Sequence, residues 1–172
     1  MLMYHVAWIP PSDNSWKLNF AGCIRPIGTG AGCILRDQNA IFKVACAVPI
    51  KACRDLVMAE LIALKHGLII AINYGVDYIE IEGDQPLVIQ MLQGHQATPF
   101  YEICRGVLHE CFNCIKNFRS VKVHQIHQYS NCAANDIARI ATELQELSYW
   151  DGNPPSAIVN TLVTDVIGRW IS

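Results

Sequence analysis

Apolar and polar residues alternate along the first third of the chain, and the spacing then changes to three and four. Ser15 to Cys23 alternates loosely around Trp16, Leu18 and Phe20, the period of a half-buried strand. Thr29 to Leu35 and Ala40 to Val48 read as two further strands. The residues between them, Asp37 to Ala40, read as the turn of a hairpin, with Asn39 suited to the left-handed position. From Leu56 to Tyr74 the pattern is helical: Leu61, Leu64 and Leu68 recur on one face, and Gly75 supplies the stop. Val76 to Glu82 returns to a strand. Asp84-Gln85-Pro86 then opens a helix over Leu87 to Leu92, with Asp84 as N-cap and the proline in the first turn. Phe100 to Asn117 predicts a helix and Ser120 to Ile126 a fifth strand. Asn131 is placed to cap a helix running to about Leu144.

Three strands linked by hairpins, followed by strands linked through helices, predict a mixed five-stranded sheet with helices packed on it. Residues 1–14 form a lead-in, 15–147 the domain, and 148–172 a tail. The tail holds Trp150, the pair Pro154-Pro155 and an apolar period at Ile158, Leu162, Val163 and Val166. It reads as a turn and a short helix that docks onto the domain or onto a partner.

Composition narrows the class of function. The chain has 172 residues, 52% hydrophobic and only 16% charged, which excludes a disordered tail and fits one well-buried domain. Net charge is −2 and the pI about 6.3, whereas strong nucleic-acid binders carry a basic excess; any such contact must come from a local patch. Lys116, Arg119 and Lys122 form one cluster able to touch phosphates, though a solvated face is the favoured reading. No uninterrupted apolar run reaches the roughly 18 residues of a membrane span, and residues 1–11 lack the pattern of a secretory signal. The expected setting is therefore intracellular, nucleus or cytoplasm. Eight irregularly spaced cysteines then read as reduced, mostly buried thiols. The alternative is zinc held by Cys111, Cys114, His124 and His127. It is disfavoured because histidines three apart on a strand face opposite sides.

Two carboxylates stand out as candidate chemistry: Glu60 in Met58-Ala59-Glu60-Leu61, and Asp84 just past a strand. Taken singly, the first reads as a solvated helix residue and the second as a cap. Taken in order with their neighbours, they resemble the ribonuclease H type 1 family, most closely the domain common in plant retroelement-derived proteins. Trp16 to Cys23 (WKLNFAGC) resembles that family's first strand, K-L-N-F-D-G-A, and Gly30 to Asp37 its second. Ala59 to Leu68 resembles its long helix, and Tyr78 to Asp84 the strand ending in an aspartate. Val123 to Ala138 resembles V-x-H-V-x-R-E-x-N-x-x-A-D-x-L-A without a gap, and the tail from Trp150 to Gly168 resembles that subfamily's ending.

The resemblance covers nearly the whole chain after Trp8. It implies a ribonuclease H-like α/β fold in which four carboxylates hold two Mg²⁺ (or Mn²⁺) ions and cleave the RNA strand of an RNA–DNA hybrid. Glu60 and Asp84 match two of the four. Ala21 and Asn135 stand where the other two belong. Asp136 is no substitute, because one step along a helix turns a side chain by about 100°. Gln125, Gln128 and Tyr129 replace the family's His, Arg and Glu, so His127, Gln128 and Asn131 are left as weak nucleic-acid contacts. Even a lost second-shell partner of a metal typically costs about 10–100-fold, and here two direct ligands have changed. The expectation is a domain related to hybrid endonucleases, with metal binding weak or lost and catalysis impaired. The alternatives are a non-catalytic nucleic-acid-binding module or a protein-interaction remnant of a retroelement. Either would be a monomer or part of a larger polyprotein.

Overall fold

A computed structural model of the chain describes residues 2–12, 14–95 and 100–172. Strands β2 (Trp16–Arg25), β3 (Gly28–Arg36) and β4 (Phe42–Ile50) form an antiparallel meander. Its second turn depends on Asp37, whose Oδ1 accepts from the backbone N–H of Asn39 (2.9 Å) and Ile41 (3.0 Å). These bonds place Ala40, not Asn39, in the left-handed region at φ 64°. The left-handed position falls not on Asn39 but on the next residue, where glycine would be easier. An alanine there costs about 1 kcal/mol, which the two bonds to Asp37 offset.

Helix α1 (Leu56–Asn73) begins where the Asp55 side chain accepts from Met58 N–H at 2.7 Å, and ends before Gly75 at φ 74°. By length and composition α1 is long and apolar enough to cross a membrane. Here it is a core helix: Leu61, Leu64 and Leu68 are fully buried against Leu18, Phe20 and Ile81 of the sheet, and α1 packs laterally on α3 (Phe100–Ile115). Strand β5 (Tyr78–Gly83) enters parallel to β2, α2 (Pro86–Leu92) follows, and β6 (Ser120–Gln125) lies parallel to β5.

Helix α4 (Cys132–Ala141) covers the opposite face of the sheet. It lies unusually close to β3. A Cβ on Gly30 would stand 2.2 Å from Ala138 O, and one on Gly32 would stand 2.3 Å from Ala138 N. Helix backbone thus rests on strand backbone, and Ala133, Ala134, Ala138 and Ala141 fill what space remains.

The sheet has six strands rather than the expected five, in the order β6-β5-β2-β3-β4-β7. The addition is β7 (Ser148–Asp151), antiparallel to β4. It begins the segment read as a tail. Four residues show too little alternation to be told from a turn, and Trp150 packs against the α4 cluster. Past it, α5 (Val159–Ile167) docks on the domain rather than standing free, and β8 (Arg169–Ile171) pairs with β1 (Tyr4–Val6) as a separate two-stranded sheet.

The two terminal segments are joined to the sheet by a buried polar network. Arg36 bonds Asp165 of α5 through Nη1 and Nη2 at 3.3 and 3.2 Å, and the Trp8 ring lies 3.9 Å from its guanidinium carbon. Trp8 Nε1 donates to Asn19 Oδ1 at 2.9 Å. Burial raises the Asp165 carboxyl and lowers the Arg36 guanidinium more than their mutual attraction holds them. The pair therefore adds little net stability, yet breaking it strands a charge. Asp165→Ala should cost about 3–5 kcal/mol in urea unfolding, and adding Arg36→Met should recover most of that loss. Independent, additive losses would show that the two side chains are not coupled.

Candidate active site

The parallel register of β2 and β5 sets the site. Asn19 lies opposite Glu82 as the last pair. Two residues on, the same register puts Ala21 beside Asp84, where β5 has ended and the edge of β2 is open. Side chains alternate along β2, so Lys17, Asn19 and Ala21 face α4, as do Glu80 and Glu82 of β5. The contacts agree: Lys17 Nζ is 2.6 Å from Glu82 Oε1 and 3.5 Å from Glu80 Oε2, and Asn19 Nδ2 donates to Glu82 Oε2 at 3.2 Å.

Glu60 arrives from α1 over Gly22, where an added Cβ would stand 3.1 Å from Glu60 Cγ. Together with Asp84, Gln85, Gln128, Asn135 and Leu56 it lines a cleft of about 250 Å³. The structure thus brings Glu60, Asp84 and Asn135 to one place, with Ala21 below them in the sheet. Glu60 is 2% exposed, and its Oε2 has no hydrogen-bond partner. Burial first, and the Asp84 carboxylate second, push its pKa up to about 8, against a smaller opposing pull from the Gly22 backbone amide.

The two changed positions are put to other uses. Ala21 is fully buried among Ala133, Ala134 and Ile137, and its side chain is a methyl with no oxygen. Asn135 Nδ2 is 3.1 Å from Asp84 Oδ2 and 3.5 Å from Gln128 O. Both neighbours are acceptors, so the amide must turn its NH₂ towards them and its oxygen away. It therefore occupies a lone pair of Asp84 instead of adding a ligand. Asp136 points elsewhere: it bonds Arg139 at 2.8 Å and accepts from Thr161 Oγ1 at 2.6 Å.

Several sequence expectations need correction. Asp84 does not cap α2; Gln85 does, accepting from Leu87 N–H at 3.5 Å, and Asp84 is left free for the cleft. Asn131 sits at the α4 N-cap but makes no side-chain cap bond. It is 1% exposed and donates to Phe20 O at 3.0 Å, so it braces β2 rather than reaching solvent. Gln128 and His127 are exposed, and His127 Nδ1 accepts from Tyr129 N–H at 3.3 Å. Among the described residues, no three His, Cys, Asp or Glu converge as a metal site, and Cys111 is buried against Leu61 O at 3.6 Å. Lys116, Arg119 and Lys122 lie towards the far end of β6, tied to Asn113, Asp77 and Ser12. The bracing pair Asn19 and Asn131 was missed. Its only signal was a polar residue at an inward-facing strand position.

A sheet with this strand order, helices on both faces and carboxylates where the central parallel pair ends defines a ribonuclease H-like domain. The chain belongs to the family described as Reverse transcriptase-like, which matches residues 19–141. Among solved structures it is similar to ribonuclease H1 of Halobacterium salinarum, at 22% identity and TM-score 0.67, covering 74% of this chain and 96% of that one. The N-terminal RNase H domain of a Mycobacterium tuberculosis protein gives 17% and 0.68, over 75% and 94% of the two chains. LC11-RNase H1 in complex with an RNA/DNA hybrid gives 16% and 0.66, over 74% and 96%. No curated protein matches the chain.

The raised Glu60 pKa carries a sign. The folded form holds this proton more tightly than the unfolded chain does. Its contribution to stability is therefore full below about pH 4.5 and is lost as pH rises towards 8. Glu60→Gln should remove that slope, making the variant on the order of 2–4 kcal/mol more stable than the natural chain at pH 8 but not at pH 4. Parallel stability–pH curves would show that Glu60 ionises freely.

Proposed function

We propose that this chain is a ribonuclease H-type domain, related to metal-dependent hybrid endonucleases, whose own capacity for cleavage is lost or severely impaired. One observation carries the reading: at the two changed positions, Ala21 presents no oxygen and Asn135 presents its NH₂ to Asp84. Two-metal phosphodiester cleavage needs anionic oxygens from several elements to hold ions about 4 Å apart. Hard Mg²⁺ favours such oxygens and gives up its water reluctantly. Here two carboxylates, Glu60 and Asp84, line the cleft, and Asp84 already has an amide partner, so the donor set does not fit two ions.

The related LC11 protein is seen with an RNA/DNA hybrid, which supports hybrid or other nucleic acid as the ligand of this module. We place the protein inside the cell, in keeping with eight free cysteines. A protein-interaction role is favoured by the net charge of −2 and by the exposed Val163, Ile167 and Trp170 around α5. Hybrid binding that weakens steeply with salt would select the first role over the second.

The purified protein should leave an RNA–DNA hybrid intact in Mg²⁺ or Mn²⁺. Robust cleavage abolished by Asp84→Asn would sink the proposal. The double change Ala21→Asp with Asn135→Asp should create a divalent-ion site. It places a carboxylate in an apolar cluster, so the metal-free form should lose on the order of 3 kcal/mol. Mn²⁺ should then raise its unfolding midpoint more than that of the natural chain. Equal shifts in the two proteins would mean that these positions share no metal.

A further inference from the structure

At the opposite end of the sheet from the cleft, Trp16 begins β2 beside Ile79 of β5. There Trp16, Tyr74 and Tyr78 line a separate pocket of about 240 Å³, with Asp77 and Asn14 at its rim. The Trp16 and Tyr74 rings have centroids 5.8 Å apart and planes inclined by 58°, so they form two walls of an open corner. Tyr74 is 38% and Tyr78 40% exposed, which is high for large aromatic side chains in a domain with this much core. Asn14 holds the left-handed conformation at φ 64°, which asparagine tolerates well. None of these residues takes part in the acidic cleft.

The charges around the pocket decide what it can take. Asp77 lies at the rim, and Asp151 accepts the hydroxyl proton of Tyr74 from behind the ring. Two cations stand nearby: Arg119 Nε is 3.8 Å from Asp77 in an exposed pair that water screens, and Lys43 Nζ is 3.1 Å from Asp37. Lys43 also shows what the indole attracts, since its ammonium lies 5.6 Å from the centre of the Trp16 ring. A nucleotide would bring phosphate towards two carboxylates. It would also need more room, since pockets for whole ligands run to roughly 300–1,000 Å³. A bare ammonium is strongly hydrated, and aromatic walls offer it few acceptors in return. A methylated ammonium keeps the charge and presents an apolar surface to the rings.

We propose that the corner formed by Trp16, Tyr74 and Tyr78, with Asp77 at its mouth, is a binding site for a quaternary or methylated ammonium group. The site is independent of the hybrid-binding reading.

The test is a titration of the full chain with tetramethylammonium chloride, followed by the Trp16 indole N–H resonance. A saturable shift is expected, and Tyr78→Ala should weaken it roughly tenfold. Tyr78 is the first residue of β5 and 40% exposed, and an unchanged unfolding midpoint of the variant checks that the fold is kept. A neutral tert-butyl isostere should bind at least roughly tenfold more weakly. A peptide bearing trimethyllysine and free choline, titrated in parallel, tell the two natural sources of the group apart; saturation by either supports the site. No saturable shift, or equal binding of the neutral isostere, overturns the proposal. So does a single-stranded oligonucleotide that moves these resonances when tetramethylammonium does not.

Discussion

The contact of the α4 backbone with the floor of β3 governs the rest of the molecule. Gly30 and Gly32 put no side chain between β3 and the Ala138 backbone, so α4 sits lower there than side-chain packing would allow. That depth brings Asn135 down to Asp84, and brings Asn131 within reach of the Phe20 carbonyl. It also explains the run of alanines on the buried face of α4, since larger residues would lift the helix and carry Asn135 out of range.

Two carboxylates, Glu60 and Asp84, line the cleft. A cluster of four carboxylates would repel internally unless metal or protons offset the charge. With Ala21 and Asn135 in place, one carboxylate remains bonded to an amide and the other is pushed towards neutrality by burial. With a methyl at Ala21 and a neutral amide at Asn135, the cleft holds less charge for an ion or proton to offset.

Much of this was legible in the residues. The periodicities of β2 to β4 and of α1 placed the meander and the core helix to within a few residues. The resemblance named Glu60, Asp84, Ala21 and Asn135 as one set, and Glu60, Asp84 and Asn135 line one cleft. What stayed hidden depended on long-range partners. Four residues of β7 carry no period of their own, and β1 exists only because β8 pairs with it. Nothing local distinguishes Gln85 from Asp84 as a cap, and Asn131 looks like a capping residue until Phe20 is seen to claim its side chain. Arg36 and Asp165 are far apart in sequence, and neither announces a buried partner.

The pairing of β1 with β8 has a mechanical meaning. The two ends of the described chain run side by side as three antiparallel residue pairs, His5 opposite Trp170 at the centre. Tension applied between the ends would pull on this short ribbon first and on the Arg36–Asp165 bonds next, while the six-stranded sheet stayed unloaded. A domain closed in this way could be carried in a loop of a host protein or tethered at both ends. Its first response to force would be to release the terminal segments and uncover Trp8, leaving the cleft and the pocket at its far end in place.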